Sequence, residues 1–124
     1  MDRTTTTAGA EFARAFADKD FARIRDLLDP EIDFAGLTPS RHWQASTADD
    51  LIGSVLQVWL DDTDDVQELE HVEIDVVGGR ERVGYRFTVH NPKGRFVVEQ
   101  QAYLDAPDGR IAWMRVVCSG FRPL

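Results

Sequence analysis

From residue 82 to residue 90 every second position is apolar: Val83, Tyr85, Phe87 and Val89 alternate with Arg82, Gly84, Arg86, Thr88 and His90. A side-chain period of two is what a half-buried β-strand requires. Asn91-Pro92-Lys93-Gly94 follows at once and is a strong turn, with proline at its second position. Residues 95–105 then form a long strand, Ala106-Pro107-Asp108-Gly109 a second turn of the same kind, and residues 110–121 the last strand. Upstream, residues 66–77 alternate with Val72, Ile74 and Val76 on one parity and end in the hairpin signal Gly78-Gly79. The second half is therefore a meander of four long antiparallel strands.

The first half has the helical period. Phe12 and Phe16 stand four apart, beside Ala13 and Ala17. Asp20 is placed to cap a second helix with the stripe Ile24, Leu27 and Leu28, which Asp29-Pro30 ends. Residues 31–37 fit a short strand with Ile32 and Phe34 on one face, and residues 38–45 read as a loop. Ser46 or Thr47 opens a third helix, whose wide apolar stripe runs through Leu51, Ile52, Val55, Leu56, Trp59 and Leu60. The acid-rich residues 61–75 read as a solvated loop and strand edge, lacking the glycine and final glutamate of a calcium loop. Helices early and strands late argue for an α+β fold, with the helices on one face of a curved, mainly antiparallel sheet. Residues 1–9 are expected to fray and residues 10–124 to form one domain.

Turn lengths suggest the register. With four-residue loops, Arg86 faces Glu99, Asp105 faces Arg110 and Gln101 faces Met114. One sheet face then gathers Arg86, Glu99, Gln101 and Tyr103 among Gly84, Ala112, Met114, Val116 and Cys118. An apolar concavity with a few convergent polar groups describes a small-molecule site; an opposite-charge pair of this kind is equally a structural salt bridge at a sheet edge or interface. Both faces are too apolar for water. One must meet the helices, and the other calls for a partner, most economically a second copy in a homodimer through the sheet.

Composition narrows the function. The chain of 124 residues carries 14 basic against 22 acidic residues, a formal charge of −8. An acidic surface repels phosphate backbones and anionic lipid, so nucleic-acid and membrane partners are not expected. The single Cys118 excludes an intrachain disulfide and reads as a buried small hydrophobe. The histidines have no ligand spacing, so no metal is expected, and no dinucleotide or phosphate-loop motif announces a cofactor. Residues 1–10 lack an apolar core, so no secretory signal is expected and the default is a soluble cytoplasmic protein.

The stretches FADKDFARIRDLLDPEIDF, HWQASTADDLIGSVLQVW and VVEQQAYLDAPDGRIAWMRVVCSGF resemble the nuclear transport factor 2-like superfamily, in particular its SnoaL-like branch. The resemblance covers most of residues 10–121. It implies a cone-shaped α+β barrel of three N-terminal helices on a curved sheet, an internal cavity between them, and homodimers. Members include polyketide cyclases, ketosteroid isomerases, dehydratases, epoxide hydrolases and non-catalytic binders. Their catalytic residues do not carry over: the oxyanion tyrosine of ketosteroid isomerases falls near Phe12 and their basic aspartate near Gly36. The acid that polyketide cyclases place on the last strand meets Val116 and Cys118.

Proton abstraction needs a carboxylate or an imidazole near the ligand. His42 and Asp33 are the candidate bases, and Tyr103 or Arg86 the candidate stabilisers of an enolate-like oxygen. His42 reads otherwise as an exposed loop histidine, and Asp33 as a strand residue turned to water. Trp43 is the tryptophan expected to touch a ligand, whereas Trp59 and Trp113 read as core or interface. Two functions are open. One is a protein that binds a hydrophobic small molecule, with isomerisation, cyclisation or dehydration of a carbonyl compound as its chemistry. The other is a non-catalytic dimeric interaction domain with a filled core. A lined void of a few hundred cubic ångströms favours the first; a filled interior with the Arg86–Glu99 pair outside favours the second.

Overall fold

The computed structural model describes residues 7–124. Helix α1 (Ala8–Ala17) starts at Thr7, whose hydroxyl accepts from Ala10 N at 3.1 Å. Most of the stretch expected to fray, residues 1–6, lies outside the described residues, but Ala8 and Gly9 already belong to this helix. Phe12 and Phe16 stack along its inner face, and Phe16 meets Phe87 edge-on at 5.9 Å, docking the helix on the sheet. Helix α2 (Phe21–Leu27) is capped by Asp20 and ends where strand β1 (Leu28–Thr38) begins. The third helical stretch has three abutting pieces: α3 (Ala48–Asp50), capped by the Thr47 hydroxyl, a π-helical segment (Leu51–Leu56), and α4 (Gln57–Trp59).

The strands are β1, β2 (Arg41–Ala45), β3 (Asp65–Val77), β4 (Arg80–Asn91), β5 (Gly94–Asp105), β6 (Ile111–Cys118) and β7 (Arg122–Pro123). They form a single sheet in the order β2-β1-β6-β5-β4-β3, with β7 added beside β5. All neighbours are antiparallel except β1 and β6, which run parallel. The sheet wraps round the helices without closing, so β2 and β3 are free edges. The expected α+β architecture is therefore present, with one element added: residues 38–45 are not a loop. Pro39 and Ser40 turn the chain, and β2 pairs back on β1 with Gly36 opposite Trp43 and Leu37 opposite His42.

The register of the meander is half as expected. Between β4 and β5, Arg86 lies opposite Glu99 and His90 opposite Arg95, as the turn length requires. Between β5 and β6, however, Asp105 pairs with Trp113, Leu104 with Met114 and Gln101 with Val117. The displacement is an odd number of residues, so it exchanges the faces of β6. Ile111 is fully buried and paired with Leu28 of β1, and pairing between β5 and β6 begins only at Trp113.

Candidate functional site

The inner face of the sheet, towards the helices, carries Val83, Tyr85, Phe87, Val98, Gln100, Ala102, Met114, Val116 and Cys118, all buried. Within this core lies a cavity of about 70 Å³, walled by Phe16, Trp59, Leu60, Phe87, Val98, Gln100, Cys118, Thr38, Gly120 and Phe121. Phe121 is exposed, and Thr38 and Gly120 are half-buried, which places the opening between the β1–β2 turn and the C-terminal tail.

That tail is shaped by one extra residue. β5 residues Gln100 and Val97 pair with Cys118 and Arg122, so three steps on β5 match four on the tail. This is a β-bulge, and Gly120 sits within it at φ 72°, a conformation that favours glycine. The bulge swings Phe121 over Phe96, with ring centroids 5.6 Å apart, at the rim of the cavity.

A single polar row lies behind the apolar wall. The Tyr85 hydroxyl donates to Gln100 Oε1 at 2.5 Å, and Gln100 Nε2 donates to Cys118 Sγ at 3.2 Å. The same sulfur accepts from Gly120 N at 3.3 Å. Burial disfavours the phenolate and pushes the Tyr85 pKa well above its ordinary value, and the neighbouring Cys118 adds to the shift. Tyr85 is thus a neutral hydrogen-bond donor across the working pH range. The row's hydrogen bonds are made within the protein, and the residues lining the cavity include neither a carboxylate nor an imidazole.

The residues expected to form the site are divided between the two faces. Arg86, Glu99, Gln101 and Tyr103 do share a face, but it is the outer one, with Trp113, Arg115 and Val117. The Arg86–Glu99 pair is long, 3.5 Å, and its side chains are 43% and 56% exposed, so it is a solvent-screened contact rather than a cavity floor. Gln101 accepts from Arg82 Nη1 at 2.5 Å. Met114 is fully buried on the inner face, away from that polar set, because the β5–β6 register places it opposite Leu104. Asp33 and His42 are both exposed, and strand alternation turns them outward: Asp33 Oδ1 lies 3.1 Å from Arg115, and His42 stands opposite exposed Leu37.

Trp43 alone among the expected residues reaches the cavity's neighbourhood. It is half-buried, donates its indole N–H to Thr38 Oγ1 at 3.0 Å, lies under the Arg41 guanidinium and meets Trp59 edge-on at 5.9 Å. It therefore supports Trp59, which is the tryptophan in the wall. The residues that sequence reasoning passed over are Tyr85, Gln100 and Trp59. Gln100 carried a signal, because it interrupts an otherwise apolar row between Val98 and Ala102.

Larger concavities are open surface grooves. One of about 680 Å³ runs past Glu11, Glu81 and Asp105. Two of these acids are already paired, Glu11 with Arg23 and Asp105 with Arg80. No helix among the described residues is long and apolar enough to cross a membrane.

Comparison with solved structures places this architecture. An isomerase candidate from Rhodopseudomonas palustris superposes with a TM-score of 0.73 at 16% identity, over 93% of this chain and 91% of that one. An NTF2-like protein from Burkholderia thailandensis does so with a TM-score of 0.68 at 16% identity, over 94% and 93%. The fold is nuclear transport factor 2-like. An LEH-like epoxide hydrolase from M. tuberculosis has the same NTF2-like layout, with a TM-score of 0.65 at 13% identity over 90% of this chain and 80% of that one. No family model matches the chain, and no curated protein matches it in sequence. The expected NTF2-like fold is therefore present, and at these identities the likeness concerns the fold.

Proposed function

We propose that the protein binds a compact, largely apolar small molecule in the cavity beneath Trp59 and Phe121, as a binding protein of the SnoaL-like type. The observation that carries this reading is a cavity whose wall is apolar, formed by Phe16, Trp59, Leu60, Phe87 and Val98 between helices and sheet. Fold neighbours described as an isomerase candidate and an epoxide hydrolase support a ligand-binding use of the same architecture. The volume, about 70 Å³, is below the few hundred cubic ångströms expected of such a site and restricts the ligand to a very small molecule, since a cavity of about 150 Å³ holds benzene. Asp33 and His42 face away, so the reading assigns them no proton transfer inside this cavity. The test is a thermal-shift screen with neutral molecules of up to about three heavy atoms. A ligand at a hundredfold excess over its Kd should add about 2.7 kcal/mol of stability. Cys118→Leu, which fills the cavity, should abolish that gain. An unchanged gain in the variant places the site elsewhere.

A second reading has its own observation. The interior is nearly filled and the Arg86–Glu99 pair lies outside, the arrangement expected of an interaction domain. We infer that the outer sheet face joins two copies into a homodimer, with exposed Leu37 and Val117 and half-buried Trp113 at its centre. The two readings are compatible, because they use opposite faces of one sheet.

A further inference from the structure

Strand β3 is one free edge of the sheet, and residues 71–77 are its regular stretch: the two bulges lie upstream, between Val66 and Glu68 and between Leu69 and His71. Gly78 and Gly79, at φ 59° and 80°, form the two-residue turn into β4, and Val77 faces Arg80 across it. Such a turn closes on a hydrogen-bonded pair. Alternation then has Glu73 and Asp75 bonding to β4 and leaves Val72, Ile74 and Val76 with N–H and C=O directed away from the sheet. Val76 N donates to Asp75 Oδ1 at 2.7 Å, so the neighbouring carboxylate covers one of these edge donors. Side chains on the two parities differ. Val72 packs against the core, whereas Ile74 and Val76, on the same parity, are 42% and 68% exposed. Glu73 and Asp75 are exposed on the outer parity and share one guanidinium, that of Arg82, at 3.3 and 3.7 Å; His71 also reaches Glu73, at 3.4 Å. The strand carries Asp65, Glu68, Glu70, Glu73 and Asp75 and no lysine or arginine.

We propose that the edge Val72–Val76 docks an extended basic segment of another protein, added to the sheet as an antiparallel strand in which apolar and basic residues alternate. Unpaired edge groups are a template for another strand, and charge selects which one. A second copy paired about Ile74 uses all three outward residues and sets Glu73 opposite Asp75 twice. Like charges directly opposite are destabilising, and the net charge of −8 on each copy adds to the repulsion. An alternating basic segment reverses both effects. Its apolar side chains lie beside Val72, Ile74 and Val76, and its basic ones meet Glu73 and Asp75. A cation drawn to Asp75 also frees the Val76 N–H for a main-chain carbonyl of the partner.

The probe is the capped peptide Val-Lys-Val-Lys-Val, titrated into ¹⁵N-labelled protein. The amide signals of Val72, Ile74 and Val76 should shift, and at saturation the Ile74 and Val76 amides should exchange with solvent about tenfold more slowly. Two N-methylated forms of equal charge separate strand addition from charge attraction. Methylation of the central valine removes an N–H aimed at β3 and should weaken binding about tenfold. Methylation of a lysine main-chain nitrogen, which points away, should leave the affinity of the parent. Equal affinities of the two methylated peptides overturn the added strand. Combining Glu73→Gln with Asp75→Asn, both at exposed positions, should weaken the parent peptide about tenfold, and unchanged affinity overturns the basic assignment. Absence of binding at millimolar peptide overturns the proposal. Shifts of the same amides that grow with protein concentration alone also overturn it, and assign the edge to a second copy.

Discussion

Tyr85 shows how much one buried hydroxyl decides. Its neighbours above and below on the inner face are Val83 and Phe87, both fully buried, and its ring stacks on Phe87 at 6.4 Å. Phenylalanine would fit the same space but leave Gln100 Oε1 unpaired. Tyr85→Phe should therefore destabilise the fold by about 1–3 kcal/mol, measured by urea unfolding. Adding Gln100→Leu should recover part of that loss, because the row is then removed rather than broken; a double variant as unstable as the sum of the singles would contradict the network. The pH dependence has a definite sign. Burial raises the Tyr85 pKa above the ordinary value of 10.0, so the folded protein holds this proton more tightly than the unfolded chain. Its contribution is intact below pH 10 and is lost as pH climbs above it. The alkaline loss of stability should be shallower in Tyr85→Phe, and equal slopes in the two proteins would show that Tyr85 ionises freely.

Strand β6 is the element whose reading fails in the sequence. On β4 one parity is apolar and the other carries Arg82, Arg86 and His90, so the inward face is unambiguous. On β6 one parity holds Ile111, Trp113, Arg115 and Val117 and the other Ala112, Met114, Val116 and Cys118, so Arg115 alone marks the polar side. One arginine among large apolar residues is a weak signal for alternation, and a four-residue turn gives the wrong parity. Tertiary contacts decide instead. β6 lies between β1 and β5, Met114 and Val116 are buried on the inner face, and Trp113 is left outside, where the guanidiniums of Arg80 and Arg115 cover its ring at 3.9 and 4.5 Å. The candidate site was legible only where register was legible. The Arg86–Glu99 pairing follows from one turn, while the grouping of that pair with Met114 and Cys118 needed a second register that the pattern does not encode. Strand β2 was hidden for another reason: only five residues long, it begins just after Pro39 and Ser40, and its signal reduces to Trp43 and Ala45 alternating with His42 and Gln44. The β6 assignment is checked by neighbours of opposite parity. Val116→Asp buries an unpaired carboxylate and should cost more than about 3 kcal/mol. Val117→Asp, at a position 53% exposed, should stay within about 1 kcal/mol at low chain concentration. The reverse order would restore the four-residue turn.

At the scale of the whole molecule, one sheet serves two environments. Helices α1 and α2 and the third helical stretch cover the inner face, whereas nothing within the described chain covers the outer one. That outer face mixes exposed apolar residues with arginines already neutralised in place: Arg115 by Asp33, Arg86 by Glu70 and Glu99, Arg82 by Glu73 and Asp75. Internally paired charges of this kind let two copies meet without stranding an ion, provided the apolar centre is continuous. Light scattering at micromolar concentration should then return about 28 kDa, twice the chain mass of 14.0 kDa. Each copy carries a net charge of −8, so long-range repulsion opposes association while the local ion pairs do not. Raising salt from about 0.01 to 0.15 M shortens the screening length from about 30 to about 8 Å and should tighten the dimer. Combining Leu37→Asp with Val117→Asp places two new acids at the centre of the face and should yield a monomer whose circular dichroism is unchanged. A protein that is monomeric at every salt concentration, or a double variant that still dimerises, would place the contact on another surface.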